Sequence, residues 1–203
     1  TSEVYGSAKY VPIDEKHPLS AQSPYSASKI SADQLALSYY NSYGLPIKII
    51  RPFNIYGPRQ SSRAVIPSII IQALNDKKEI QLGNIKPSRD FTYVSDACCA
   101  FLDILKIKNF FGNTLNVGSN NEYTIEYIAK KVLAKLNSKA NIKKEIQRTR
   151  SPNSEVVRLV CDNSKILKNT QWKPKVKIEK GLDMTINWFR KFKDLFKHQI
   201  YHV

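Results

Sequence analysis

The chain has 203 residues, of which 42% are hydrophobic and 24% charged, which suits one globular domain, or one and a half, and excludes a disordered polymer. Its apolar runs, such as Ile69-Ile70-Ile71, fall far below the ~20 residues of a membrane-spanning helix, so no membrane partner is expected. Lys and Arg outnumber Asp and Glu by 32 to 17, a net charge of +15, which leaves a nucleic-acid binder and a solvated lysine surface as the first two readings.

Pro24 opens a helical stretch that runs to about Tyr43, with Gly44 as its C-terminal cap and Pro46 as a stop. The apolar run Ile47-Lys48-Ile49-Ile50 reads as a short buried strand. Ile66, Ile69, Ile70, Ala73 and Leu74 keep the spacing of one helical face. Ser95 is expected to cap a helix that buries Cys98, Phe101, Leu102 and Leu105. Thr114 to Val117 reads as a second short strand. From Thr124, the positions Ile125, Ile128, Ala129, Val132, Leu133 and Leu136 form an amphipathic helix. Residues 138–163 carry no helical period. The last helix places Ile178, Leu182, Thr185, Phe189, Phe192 and Phe196 inward. Strands alternating with helices argue for an α/β fold. The three apolar helix stripes, including the Cys98/Cys99 pair, read as core.

Cys98, Cys99 and Cys161 are an odd number without Cys-x-x-Cys spacing, and His17, His198 and His202 have no ligand-like setting. Neither a zinc site nor a disulfide framework is expected, and a reducing cytoplasm fits best. Arginine is the residue of bidentate phosphate and guanine recognition, and only 8 are present. The scattered lysines therefore favour a solvated surface over nucleic acid, while a basic pocket for an anionic small molecule fits either reading.

Tyr25 and Lys29 are four apart and share a helix face. An ammonium beside a phenol favours the phenolate, and such a tyrosine can take a proton from a hydroxyl and return it. The spacing alone is weak: chance supplies about one such pair in this composition, and Tyr5/Lys9 and Tyr127/Lys131 also match. Context selects Tyr25. It lies in Pro24-Tyr-Ser-Ala-Ser-Lys29, with Thr1-Ser-Glu-Val-Tyr-Gly6 upstream. Arg51-Pro-Phe-Asn-Ile-Tyr-Gly-Pro-Arg59 and Arg89-Asp-Phe-Thr-Tyr-Val94, followed by Asp96, lie downstream.

Four such segments in this order resemble the extended short-chain dehydrogenase/reductases that act on nucleotide sugars, the NAD-dependent epimerase/dehydratase family. The resemblance runs from Thr1 to about Phe189. It is nearest the 4,6-dehydratases of the legionaminic-acid type, a likeness strengthened by Asn153 to Leu159, Cys161-Asp162-Asn163 and Lys165. It implies an α/β chain that is the C-terminal portion of a Rossmann-type doubly wound parallel sheet plus a small α/β substrate-binding domain. Residues 1–60 would close the NAD(P)-binding domain. Residues 61–203 would be mainly the substrate-binding domain, with 90–118 returning to the Rossmann part.

The resemblance also implies roles. Tyr25 would be the acid/base at the sugar C4 hydroxyl, and Lys29 would hold the nicotinamide ribose and tune Tyr25. Thr1 would bond the sugar, and Glu3 would take the C5 proton. Pro52 and Asn54 would border the cofactor, and Asn54, Arg89 and Arg150 would hold the nucleotide diphosphate. Arg59 is either a further polar contact or a structural pair. Ser2 stands where many dTDP-glucose dehydratases carry an aspartate acid, so Glu3 would serve both steps or another group would protonate the C6 hydroxyl. Ser-Glu at this place also occurs in sugar-acid decarboxylases, and 4-epimerases share the surroundings of Tyr25, so both remain alternatives. A non-catalytic basic binding module is the alternative from another class.

The seven glycines include none spaced for a dinucleotide phosphate loop; the nearest two are six apart. The family places that loop in the first third of the intact protein, so the sequence reads as N-terminally truncated and, by itself, inactive. NAD is the expected cofactor, with NADP also open. A nucleotide sugar is the expected substrate, with UDP- or GDP-N-acetylglucosamine favoured. A homodimer through the 24–43 helix is the expected assembly.

Overall fold

The computed structural model describes residues 1–145 and 155–196. The chain begins with a 3-10 turn, Ser2–Tyr5, capped by Thr1, whose Oγ1 accepts from the Glu3 N–H at 3.3 Å. Helix α1 spans Pro24–Tyr43. Proline suits the first helical position, where an N–H would lack a partner. The Ser23 hydroxyl accepts from Ser26 N–H at 3.1 Å as the N-cap. At the other end Gly44 turns left-handed, φ 65°, and its N–H closes on Tyr40 O at 2.9 Å. There follow β1 (Ile49–Pro52), β2 (Asn54–Tyr56), α2 (Val65–Leu74), β3 (Glu79–Leu82), β4 (Ser88–Tyr93) and α3 (Val94–Lys106). The chain continues through β5 (Thr114–Val117), β6 (Glu122–Thr124), α4 (Ile125–Lys135), β7 (Asn141–Lys144), β8 (Arg158–Leu159), α5 (Ser164–Asn169) and α6 (Ile178–Lys191).

β1 runs parallel to β5, with Ile49 opposite Thr114 and Pro52 opposite Val117. At Phe53 the chain changes sheets. β2 runs parallel to β4, with Asn54 opposite Phe91, and β4 also carries β6 antiparallel and β8 parallel. β3 and β7 form a separate parallel pair. Helices interleaved with parallel strands are the α/β arrangement that the alternation predicts.

Three apolar clusters hold these layers together. The largest packs Ile66, Ile69 and Ile70 of α2 with Ile128 and Val132 of α4, Leu182 and Phe189 of α6, and Phe91 and Tyr93 of β4. Full burial of one such side chain stabilises by roughly 1.5–3 kcal/mol. The second joins Val4, Tyr5, Ile13, Phe53, Leu159 and Cys161, so it ties the N-terminal turn to the β1–β2 junction. The third sets Ala100 and Ile104 of α3 against Leu115 and Val117 of β5, with Ile166 and Trp172 behind them. Gly118 permits one close approach in this region: a Cβ there would lie 2.2 Å from Cys161 Cβ.

Several elements depart from expectation. The first strand begins two residues later than the apolar run suggests, at Ile49, because Ile47 and Lys48 precede the first rung of the β5 ladder. Phe192 falls just beyond α6 rather than within it. The largest difference is α3. Its N-cap is Tyr93, not Ser95, and it turns the opposite face inward. Ala97, Ala100 and Ile104 are buried, whereas Cys98, Cys99, Phe101, Leu102 and Leu105 are exposed, Leu105 by 73%. Asp96 sets this rotation. Its buried carboxylate accepts from Lys175 and Val176 N–H, both at 2.9 Å, and its carbonyl accepts from Trp172 Nε1 at 2.7 Å. A carboxylate without those donors would carry a large desolvation cost, so it outweighs the apolar count of the opposite stripe. The Cys98/Cys99 pair is therefore not core.

Candidate active site

The Tyr25 side chain projects from the first turn of α1 and is 53% exposed. Lys29, one turn later, sets its Nζ 5.6 Å from the Tyr25 ring centroid, as the i, i+4 spacing predicts. The two rival pairs lie in other settings. Tyr5 is fully buried, and Tyr127 stacks on Tyr123 at 5.4 Å, with its hydroxyl 3.3 Å from Glu179.

The turn Ser2–Tyr5 is bonded directly to the first turn of α1. The buried Ser26 hydroxyl, next in sequence to Tyr25, donates to the Glu3 carbonyl at 2.6 Å. A second connection lies deeper. Tyr5 OH donates to Asn116 Oδ1 of β5 at 2.7 Å and accepts from an Arg51 guanidinium N–H of β1 at 3.0 Å. Arg51 Nε in turn donates to Asp33 of α1 at 2.8 Å. Residues 25, 29 and 33 are successive i+4 steps, so the exposed pair and the half-buried Asp33 carboxylate occupy one face of α1. Burial pushes the Tyr5 phenol up, although Arg51 pulls the other way. Burial alone would lower the Arg51 guanidinium; the adjacent Tyr5 and Asp33 raise it on balance. A buried cation retained this way needs every one of those partners.

Ser2 of the same turn is buried. Tyr5 also packs on Phe53, with ring centroids 6.3 Å apart. This contact brings the turn to the junction where Asn54 starts β2. Asn54 Oδ1 is buried and, among the described residues, accepts no hydrogen bond. An orphaned buried acceptor is a place that a bound polar group would complete.

Arg89 stands two residues before Phe91 on β4, and Phe91 is opposite Asn54, so Arg89 and Asn54 project from the same sheet face. Arg89 is nearly buried. One guanidinium N–H donates to Ser88 O at 2.8 Å, and another nitrogen lies 3.8 Å from the Glu155 carboxylate. Arg59 is exposed and sits at a left-handed φ of 64°. Pro52 ends β1, and its missing N–H falls on the edge turned away from β5. Arg150 lies outside the described residues.

The described residues also test the fit of a dinucleotide. Lys29, Tyr25 and Asn54 suit its nicotinamide-ribose end: an exposed ammonium, an exposed phenol and an unsatisfied buried acceptor. The described glycines form no closely spaced phosphate cradle.

Sequence reasoning missed Ser26, Arg51, Asp33 and Asn116. Ser26 and Arg51 lie inside two of the quoted motifs, and Asp33 continues the 25–29 stripe, but no signal gave their roles. The family model described as GDP-mannose 4,6 dehydratase matches residues 1–185. The chain belongs to that family. A dTDP-D-glucose 4,6-dehydratase from Homo sapiens is 32% identical over 94% of the chain and 55% of its own length. The chain therefore spans about half the length of the curated relatives it matches. The crystal structure of a dTDP-glucose 4,6-dehydratase from Bacillus anthracis in complex with NAD superposes with a TM-score of 0.87 and 36% identity, covering 96% of this chain and 61% of that one. A UDP-glucuronic acid 4-epimerase from Bacillus cereus, with UDP-glucuronic acid and NAD, superposes equally well at 0.87, with 28% identity over 95% of this chain and 60% of that one. The Rossmann-type α/β fold is thus common to dehydratases and epimerases of this family.

Proposed function

We propose that the intact protein is a nucleotide-sugar 4,6-dehydratase, with UDP- or GDP-N-acetylglucosamine as its substrate. The observation that carries this reading is the hydrogen bond between Ser26 and the Glu3 carbonyl. It fastens the turn carrying the Glu3 carboxylate to the turn carrying Tyr25, which supports a reading in which a base for C5 and an acid/base for C4 serve one substrate ring. A 4-epimerase needs only the second of these groups.

When bound, NAD or NADP would supply a reversible hydride acceptor for C4 and the hydride for C6, held through Lys29 and Tyr25. Tyr25 takes the C4 hydroxyl proton, and Lys29 holds the nearby ribose. The resulting C4 ketone acidifies the C5 hydrogen. The Glu3 carboxylate removes that proton, and the electron pair moves toward C6 as its hydroxyl leaves. Ser2 offers no carboxylate, so Glu3 gives its proton to the departing hydroxyl and water forms; once hydride has been added at C6, C5 takes a proton from solvent through Glu3, and Tyr25 releases the C4 hydroxyl proton to solvent. Thr1 bonds the sugar. Arg89, Arg150 and Asn54 hold the diphosphate, whose charge displaces Glu155 from Arg89. In this reading residues 1–60 and 90–118 complete the NAD(P)-binding domain, and most of 61–203 forms the substrate side.

The test is mass spectrometry of the protein expressed from its complete reading frame, offered UDP-, GDP- and dTDP-sugars. The expected result is loss of one water from a single substrate. An unchanged mass with a new sugar isomer, or loss of carbon dioxide from a sugar acid, would replace the dehydratase reading with an epimerase or decarboxylase. The 203-residue chain alone is expected to show no turnover; measurable NAD-dependent product from it would refute that. The exposed Leu35, Tyr39 and Tyr43 of α1 supply an apolar stripe for a homodimer. Sedimentation of the intact protein as a monomer at micromolar concentration would remove that assignment.

A further inference from the structure

We infer that Ser26 and Tyr5 are positioning residues, which hold the Glu3 carboxylate at a fixed reach from Tyr25 by clamping its turn to α1 at both ends. This inference rests on the dehydratase reading above. The reaction has two demands on geometry. Tyr25 must reach the C4 oxygen, and Glu3 must reach the C5 hydrogen of the same ring, one bond away. Tyr25 is placed by α1 itself. Glu3 belongs to a single 3-10 turn, Ser2–Tyr5, closed by Gly6 N–H on the Glu3 carbonyl at 3.3 Å, which is short compared with the 20 residues of α1.

The structure adds fixity from α1. At the near end the Ser26 hydroxyl, buried to within 1% of full enclosure, donates to the carbonyl of Glu3 itself at 2.6 Å and lies 3.5 Å from Ser20 O. At the far end Asp33, two helical turns along the same helix, grips Arg51, and Arg51 donates to the Tyr5 hydroxyl. Asn116 accepts from that hydroxyl and is itself anchored: its N–H donates to Glu15 at 2.7 Å and its Nδ2 to Ile13 O at 3.1 Å. Between the two clamps Thr1 Oγ1 accepts the Glu3 N–H at 3.3 Å. The Glu3 backbone is thus held at both its N–H and its carbonyl, and the side chain has only its own rotamers to explore. A displacement of about 1 Å at such a point costs as much as 10²-fold in rate.

The clamp predicts a selective defect. When the enzyme holds a 6-deoxy-4-keto sugar nucleotide in D2O, the C5–H bond breaks to Glu3, the electron pair delocalises onto the C4 oxygen, and a deuteron returns to C5. No hydride moves, so this exchange reports C5 deprotonation apart from hydride transfer. In the intact protein, Ser26→Ala is expected to slow C5 exchange about tenfold, with C4 oxidation of the parent sugar changed less than twofold in a single turnover. Tyr5→Phe, which cuts the far clamp, should show the same split; it keeps the inference testable if Ser26→Ala fails to fold. Equal loss of both steps, or full C5 exchange in both variants, would overturn the clamp. If the unaltered enzyme exchanges no C5 hydrogen while it does isomerise a sugar, the dehydratase reading fails and takes the clamp with it.

Discussion

Tyr25→Phe is expected to lower kcat by about 10³-fold, within the span of 10²–10⁴ that a single general acid–base group contributes. The substitution removes one oxygen and nothing else. Tyr25 is 53% exposed, so among the described residues no cavity opens and no buried partner is stranded. Lys29 keeps its place over the ring, because a phenyl face attracts an ammonium much as a phenol does. Thermal stability should therefore be unchanged, and substrate Kd should move by only a few-fold. What disappears is the group that takes the C4 hydroxyl proton. The variant should form neither dehydrated product nor 4-keto sugar in a quenched single turnover analysed by mass. Retention of either at more than a tenth of the normal rate would remove Tyr25 from the chemistry. The same substitution at Tyr127, on α4 and hydrogen-bonded to Glu179, serves as the control for an uninvolved Tyr-x-x-x-Lys pair.

The expected defect falls on a residue whose surroundings were largely legible from local signals. α1 is announced by Ser23-Pro24 at one end and Gly44 at the other, because capping is chemistry between near neighbours. α4 is equally plain, since it buries a single stripe, and α2 keeps the same apolar spacing although it is buried on most sides. β4 is not. Its residues, Ser-Arg-Asp-Phe-Thr-Tyr, are buried on both faces, so the strand shows neither alternation nor an apolar run. Asp90 is enclosed there and accepts from the N–H groups of Ser119, Asn120 and Cys161, with burial still pushing its carboxyl upward. A polar strand of this kind is specified by partners 29 to 71 residues away, which no local period reports.

α3 fails for a related reason. Its apolar residues run nearly all the way round, so two faces compete for the core, and Asp96 decides between them through backbone donors at 175 and 176. The Arg51 hub was hidden in the same way. Arg51 sits inside a recognisable motif, but its use depends on Tyr5, Asp33 and Asn116, from three separate elements. Motif reading finds the groups that touch a ligand, because chemistry dictates their type. It passes over the groups that hold them, because many residue types could do that work and only the assembled backbone selects one.

That division gives the second large effect its interest. Glu3→Gln is expected to abolish dehydration, again by about 10³-fold, but to spare the step that precedes it. The amide is nearly isosteric with the carboxylate. The turn is held through the Glu3 N–H and carbonyl rather than through its side chain, so the backbone should stay in place. Tyr25 and Lys29 are untouched. The variant can therefore still oxidise C4, but it has no base for C5 and no proton to give the C6 hydroxyl. A quenched single turnover should contain sugar nucleotide lighter by two hydrogens, the 4-keto hexose, and none lighter by one water. A variant that still loses water at the normal rate would assign the C5 step elsewhere. One that forms neither species would mean that Glu3 acts at or before C4, as an epimerase or decarboxylase site could require. The contrast with Tyr25→Phe is decisive, because the two substitutions should halt one reaction at successive carbons of one ring.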